Sequence, residues 1–224
     1  MSEQYIYTAL IDVLGYRARL ESDMRRGMSS MKDDLEGALS IFDTVNNAVF
    51  GVQAISDTVI LTCNTHTNFE EFLGIIKLVF LSFLKRKLFI RGAIAYSKHF
   101  QSGRLTYSHA ITRAYEIEST SAIYPRIIVD NNIVDMFRSG SNLPDIFGKG
   151  HLCHCNGTAF VNVVTSVSWN DAYQSARNMY ERDRGDLQYN EVAFAKHVWF
   201  EEYLFSSSAV DPDAKRYVEQ IEDL

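Results

Sequence analysis

The run Tyr5-Ile6-Tyr7-Thr8-Ala9-Leu10-Ile11-Asp12-Val13-Leu14-Gly15-Tyr16 constrains this chain more than any other stretch. Its continuous apolar character, its β-branched and aromatic residues and the glycine near its end specify a buried strand. Burying an ionised carboxylate costs several kcal/mol unless it is paired or bound to a cation, so Asp12 needs a partner. A second carboxylate stands in Ala54-Ile55-Ser56-Asp57-Thr58-Val59-Ile60, where Ser56-Asp57 separates two short apolar runs as a hairpin tip does. Strands laid side by side would bring Asp12 and Asp57 to one end of a sheet, making a hard, all-oxygen site suited to Mg²⁺ or Mn²⁺. Two plainer roles stay open: a strand-end Asp can cap the next helix, and Ser-Asp is ordinary turn chemistry.

A chain of 224 residues, 46% hydrophobic and 12% aromatic, can bury one domain, or one domain with an appended subdomain. Its net charge of −6 argues against a protein whose main work is coating nucleic acid, while leaving room for a local basic pocket for a phosphate ligand. Three cysteines and no visible secretory leader point to a reducing cytoplasm. No membrane span is expected. The most apolar stretch, Phe69 to Ile90, is interrupted by Lys77 and Lys85-Arg86-Lys87, and its apolar residues follow helical spacing. Thr67-Asn68-Phe69-Glu70 reads as its capping box.

Along the chain, Arg17 to about Val49 reads as helix broken near Gly27-Met28-Ser29-Ser30, and Gly51 to Cys63 as a hairpin. Phe89 to Ala95 reads as a central strand in which Gly92 is tolerable only where another backbone or a ligand comes close. Gln101-Ser102-Gly103-Arg104 turns into a short strand, and Ser108 caps a helix with Ile111, Ala114, Tyr115 and Ile117 as packing positions. Strands follow at Arg126 to Val129 and Thr158 to Val164, with a short helix after Asp130 and an internal break at Gly140 to Gly150. Trp169, Ala172, Tyr173, Ala176, Met179 and Tyr180 make an aromatic stripe on a helix, read as core or dimer packing. Glu191 to Phe205 is helical, Asp211-Pro212-Asp213 opens a last charged helix, and Arg182-Asp183-Arg184 is a solvated helix end. His151-Leu152-Cys153-His154-Cys155 lacks a second ligand pair at finger spacing and reads as a strand with incidental thiols. The sum is an α+β (α/β) sandwich: helices on a mixed sheet over residues 1–165, then a helical extension, 166–224, packed on it or on a dimer partner.

Taken together, Leu10-Ile11-Asp12-Val13-Leu14-Gly15-Tyr16, Ile55-Ser56-Asp57, Arg91-Gly92-Ala93-Ile94 and Ala114-Tyr115-Glu116-Ile117-Glu118-Ser119 resemble the class III nucleotidyl cyclase catalytic domain. Ala122-Ile123-Tyr124-Pro125-Arg126-Ile127-Ile128-Val129-Asp130 is similar to its bacterial branch of pyrimidine cyclases from Pycsar antiphage systems. The resemblance implies a cytoplasmic homodimer with composite interfacial sites, where Asp12, Asp57 and the carbonyl of Val13 hold two Mn²⁺ or Mg²⁺ ions and a nucleoside triphosphate. It implies attack of the ribose 3′-oxygen on the α-phosphorus, release of pyrophosphate, and a cyclic nucleotide read by a separate effector protein. It implies neither nucleic-acid nor membrane partners.

Departures from the purine-cyclase pattern carry information of their own. Alignment puts Thr112 and Glu116 where that pattern has an Asn and a transition-state Arg, leaving Arg91, Arg113 or Arg126 as replacements. Arg91 is the first choice, because a cation within a central strand needs a reason; a structural ion pair is the other reading. The adenine-selecting Lys position holds Gln53, its partner position falls at Leu105-Thr106, and bulky Phe50 precedes the hairpin. Those replacements favour a pyrimidine, although Phe50 also suits a plain core; a neutral amide satisfies either base, and it is the family resemblance that implies UTP and 3′,5′-cyclic UMP ahead of CTP and cyclic CMP. An adenylate or guanylate cyclase with an atypical pocket, and a catalytically inactive cyclase-like domain that senses a nucleotide or holds a partner, are the remaining alternatives.

Overall fold

The opening apolar run forms β1 (Gln4–Val13) in a computed structural model that describes residues 4–102, 105–140 and 143–219. Alternation along β1 sends Tyr7, Ala9, Ile11 and Val13 to one face of the sheet and Leu10 and Asp12 to the other. After β1 come α1 (Tyr16–Arg26), α2 (Ser30–Leu39) and a 3₁₀ turn at Ser40–Thr44; α1 ends at Gly27, whose φ of 63° closes it. The hairpin is β2 (Phe50–Ile55) and β3 (Thr58–Cys63), with Ser56 at φ 59° in its turn.

The amphipathic stretch forms α3 (Phe69–Lys85), which buries Phe69, Phe72, Phe80 and Phe83 against the β1 core face, each worth roughly 1.5–3 kcal/mol. Its expected capping box does not form. Asn68 is the N-cap, but its side chain turns to Thr65, Thr67 and Glu71, while Glu70 pairs with Lys149 at 2.7 Å and His151 at 3.2 Å. Those partners outcompete the reciprocal cap.

Next come β4 (Ile90–Ser102), β5 (Leu105–Ser108) and α4 (His109–Ser121), whose N-cap Ser108 accepts from the Ile111 N–H at 3.1 Å. The tip of the expected turn, Gly103-Arg104, lies outside the described residues. On α4, Ala114 and Ile117 are buried and Ile111 partly so, but Tyr115 is 59% exposed, contrary to its expected packing. β6 (Ile127–Val129), α5 (Asn131–Ser139), β7 (Leu152–Cys155), β8 (Thr158–Val161), α6 (Trp169–Leu187) and α7 (Glu191–Phe205) complete the fold.

The result is an α+β mixed sheet of eight strands, ordered β2-β3-β1-β4-β6-β8-β7, with β5 paired on β4 and helices packed on it. β1 runs antiparallel to both neighbours, and β4 and β6 are the parallel pair. The aromatic stripe of α6 is core, since Trp169, Ala172, Tyr173, Ala176 and Met179 join the cluster that contains α3. Among the described residues, no helix is long and apolar enough to cross a membrane.

Among the described residues, the expected last helix after Asp211-Pro212-Asp213 does not form. Residues up to 219 run as turns and irregular chain, clipped down by buried Glu201, which accepts from the Val218 N–H at 2.8 Å and pairs with Arg216 at 3.2 Å. Tyr173 adds a 2.6 Å hydrogen bond to the Lys215 carbonyl. A short free helix offers less than these fixed acceptors and donors.

Gly92 explains how β1 and β4 lie so close: a Cβ there would sit 2.3 Å from the Leu10 carbonyl oxygen. Gly92→Ala should cost roughly 1–3 kcal/mol in urea unfolding. Gly185→Ala on α6, where a Cβ meets nothing within 4 Å, should instead be neutral or stabilise by about 0.5–1 kcal/mol. Equal effects would contradict the close-approach account.

Candidate functional site

At the end of β1 the chain is locked to its neighbours. The Val13 N–H donates to the Asp57 carbonyl at 3.1 Å, and the Leu14 N–H to the Phe89 carbonyl at 2.9 Å. Asp12 stands opposite Thr58 in β3 and Arg91 in β4. The hairpin turn thereby carries Asp57 to the same end of the sheet as Asp12, as the sequence pattern requires.

Gly15, at φ 76°, reverses the chain into α1 and is its N-cap. No side chain caps α1, so Asp12 does not play the capping role, and the first-turn N–H groups are left for solvent or a ligand. Beside them a groove of about 610 Å³ runs between Val13, Gly15, Arg17, Glu21 and Asp57. An uncapped helix N-terminus with its partial positive charge is suited to phosphate.

On the α4 face, Asp12 belongs to a charged cluster. The Arg91 Nε donates to Asp12 Oδ2 at 3.3 Å and lies 2.7 Å from Glu118 Oε1, and its Nη1 donates to the Ala122 carbonyl at 3.3 Å. Glu118 is 4% exposed, and its Oε1 lacks a properly aligned hydrogen bond. Burial pushes the Asp12 carboxyl up, Arg91 pulls it down, and the Asp57 charge pushes it up again. Glu118 is likewise raised by burial and by Asp12, against the pull of Arg91. Lys196 reaches this cluster from α7; burial and Arg91 lower its pKa, and Asp12 raises it.

These donors fit a hard divalent cation in a particular way. Among the described residues no group of three or more His, Cys, Asp and Glu side chains forms a ready-made metal cage. Two carboxylates and a backbone carbonyl are instead the partial donor set of Mg²⁺-type ions that arrive with substrate phosphates. The crowding of Asp57 and Glu118 around Asp12 is a repulsion that such a cation relieves.

The other sequence-derived residues are placed apart from this cluster. Phe50 is 1% exposed and stacks with Phe72 at 6.2 Å in the core, so the plain-core reading describes its position. Gln53 is exposed on edge strand β2. Thr106 and Thr112 line a shallow cavity of about 400 Å³ at the start of α4. Arg113 is held by Asp130 at 2.9 Å and Glu116 at 3.4 Å. Arg126 is packed 5.6 to 5.9 Å from the rings of Tyr124, Phe160 and Trp199. Cys153, His154 and Cys155 form β7, and the described residues hold no metal-ligating group there. Glu118, Arg17 and Lys196 are the members that sequence reasoning missed. Arg17 had a local signal in its position two residues after Gly15, and Glu118 in the motif Glu116-Ile117-Glu118, whereas Lys196 had none.

No family model matches the sequence, and no curated protein matches it. Solved structures do. A bacterial light-regulated adenylyl cyclase aligns at 11% identity and TM-score 0.47 over 80% of this chain; the chain spans 58% of that protein's length. The monomeric guanylyl cyclase domain of the RhoGC fusion protein from the aquatic fungus Blastocladiella emersonii aligns at 10% identity and TM-score 0.46, covering 71% of this chain and 95% of that one. The guanylate cyclase domain of RhGC from Catenaria anguillulae, in complex with GTP, aligns at 13% identity and TM-score 0.43, covering 74% and 100%.

The raised carboxyls set a pH signature. Where the native pKa exceeds the unfolded one, the native state holds more protons through the window between them, so stability falls as pH rises through that window. Asp12→Asn should therefore gain on the wild type in urea unfolding as pH rises above the ordinary aspartate range. A wild type that gains on the variant over that rise would contradict the assignment.

Proposed function

We propose that this chain is a nucleotidyl cyclase that converts UTP to 3′,5′-cyclic UMP and pyrophosphate. The observation that supports it most is the meeting of Asp12 and Asp57 at one sheet end, beside the uncapped N-terminus of α1. Mn²⁺ or Mg²⁺, two per site, bound by Asp12, Asp57 and the Val13 carbonyl, would supply positive charge to the triphosphate and acidify the 3′-hydroxyl. The α1 amides and Arg17 bind phosphate oxygens, fixing the chain of phosphates along the groove. The 3′-oxygen bonds to the α-phosphorus as the bond from that phosphorus to the bridging oxygen breaks; the hydroxyl proton passes to solvent and pyrophosphate leaves. Arg91 holds Asp12 and Glu118 together before substrate arrives.

The base-reading residues reach this site from a second copy of the chain. Thr106 pairs with Gln101, ten strand residues beyond Arg91, which places it roughly 30 Å from Asp12 within one chain. Exposed Ile55, Tyr107, Tyr115 and Ile123 give a homodimer apolar surface to cover. Across that interface Gln53, Thr106, Thr112 and Arg113 face the nucleotide, and the neutral amide of Gln53 reads a pyrimidine; Phe50 supports the pocket from behind. Residues 1–165 form the catalytic domain, and 166–224 form an extension that brings Lys196 toward Asp12. The cyclic product serves as a second messenger in antiphage defence, passed to a separate effector. The same amide satisfies cytosine, which makes cyclic CMP the nearest alternative. One observation favours an inactive, nucleotide-sensing domain: Arg91 and Arg113 are both engaged by carboxylates.

Pure protein given each of the four nucleoside triphosphates with Mn²⁺ should yield cyclic UMP as the main product by mass. Asp57→Ala should lose at least about a hundredfold in turnover while staying folded and dimeric. Purine cyclic nucleotides as the main product, no cyclic product, or full activity of the variant would each overturn the reading. Tyr115→Glu should sediment as a monomer and lose activity with it; a fully active monomer would remove the composite site.

A further inference from the structure

A second cavity, of about 490 Å³, is walled by α1, the Lys87-Leu88-Phe89 segment, α6 and α7, and meets the groove at Gly15 and Ala18. Its volume is that of small-molecule sites. In a chain of net charge −6, this wall carries five cations, Arg19, Arg26, Lys87, Arg182 and Lys196, against three carboxylates. Asp183 pairs with Arg182, one of the five, which leaves four cations against two carboxylates. Asp23 accepts from Ser30 Oγ at 2.6 Å and the Met31 N–H at 2.7 Å, and Asp183 receives both Arg182 nitrogens at 2.6 and 2.7 Å. Asp186 is the third.

Two polar atoms on this wall are left without a partner. Arg19 gives one nitrogen to Asp34 at 2.7 Å, but its Nη1 is buried and unbonded among the described residues. His197 is 4% exposed, packed between Phe89 and Tyr180, and its Nδ1 is also buried without a partner. Arg19 and His197 both belong to the cavity wall, and buried polar atoms are almost always satisfied, so a polar group in the cavity is the partner that a small rotation of either side chain would reach. Leu14, Leu88 and Met179 supply the apolar part of the wall.

We propose that this cavity is a second ligand site that takes a small phosphate-bearing anion. Its phosphate is held by Arg19, Arg26, Lys87 and Lys196, with His197 completing the polar contacts. The site is a cavity distinct from the catalytic groove, and of its two sources only pyrophosphate rests on the catalytic reading. Two sources share the chemistry: pyrophosphate released next door, or a separate nucleoside monophosphate. Lys196 belongs to both sites, so occupancy alters the charge beside Asp12.

Calorimetric titration of the full chain with inorganic pyrophosphate and with UMP, in excess chelator so that no divalent ion contributes, tests this. Saturable binding of either is expected, pyrophosphate preference marking the first source and UMP preference the second. Asp57→Ala should bind as the wild type does even where it has lost turnover. Arg26→Glu combined with Lys87→Gln should weaken binding by about tenfold or more, whereas Lys32→Glu, outside the cavity, should not. In the wild type, the His197 ring resonances should shift as the anion binds, a readout independent of any variant. No saturable binding, equal affinity in the double variant, equal loss in Lys32→Glu, or binding abolished by Asp57→Ala would overturn the proposal.

Discussion

The close pairing of β1 with both β3 and β4 is the constraint on which the rest depends. Only a glycine at position 92 lets the β4 backbone approach the Leu10 carbonyl, and that approach keeps the antiparallel register that sets Asp12 opposite Arg91. The same strand, paired on its other edge, draws the hairpin turn in until the Val13 amide reaches the Asp57 carbonyl. One register thus fixes two carboxylates, an arginine and the start of α1 around a single point. A shift of one residue would send Asp12 into the hydrophobic face that packs against α3.

The electrostatics of that point are unbalanced by design of the fold. Asp12, Asp57 and Glu118 crowd together, and Arg91 and Lys196 compensate them only in part, which is why burial and mutual repulsion raise two of the carboxyls. A site of this kind gains from incoming positive charge. Bringing Lys196 from α7 ties the C-terminal helices to this charged cluster, and the tail clipped by Glu201 braces α7 in turn.

How much of this was legible in the sequence follows from how local each signal is. The opening strand, the hairpin tip, the α3 stripe, the Ser108 cap and the Glu191 to Phe205 helix are written in neighbouring residues, and the structure has them all. The convergence of Asp12 with Asp57 was readable because a hairpin next to a strand leaves few geometries. Lys196 was not, since it comes from α7 with nothing nearby to mark it, and Glu118 stood in a recognised motif without its approach to Asp12 being readable from it. The capping box and, as far as residue 219, the last helix failed for one reason: Lys149 and His151 took Glu70, and Glu201 took the described part of the tail, so distant partners won over local propensity. Phe50 shows the converse, since a large apolar residue read as lining a pocket is buried with Phe72 before it is available to a ligand.

The central claim is that Asp12 and Asp57 together hold divalent cations against a triphosphate. Electron paramagnetic resonance of Mn²⁺, titrated into the protein with a non-cyclisable UTP analogue lacking the 3′-hydroxyl, measures this without turnover. The account predicts Mn²⁺ bound in a nucleotide-dependent way by the wild type and lost in both Asp12→Asn and Asp57→Ala. Binding that is unchanged in those variants would contradict it.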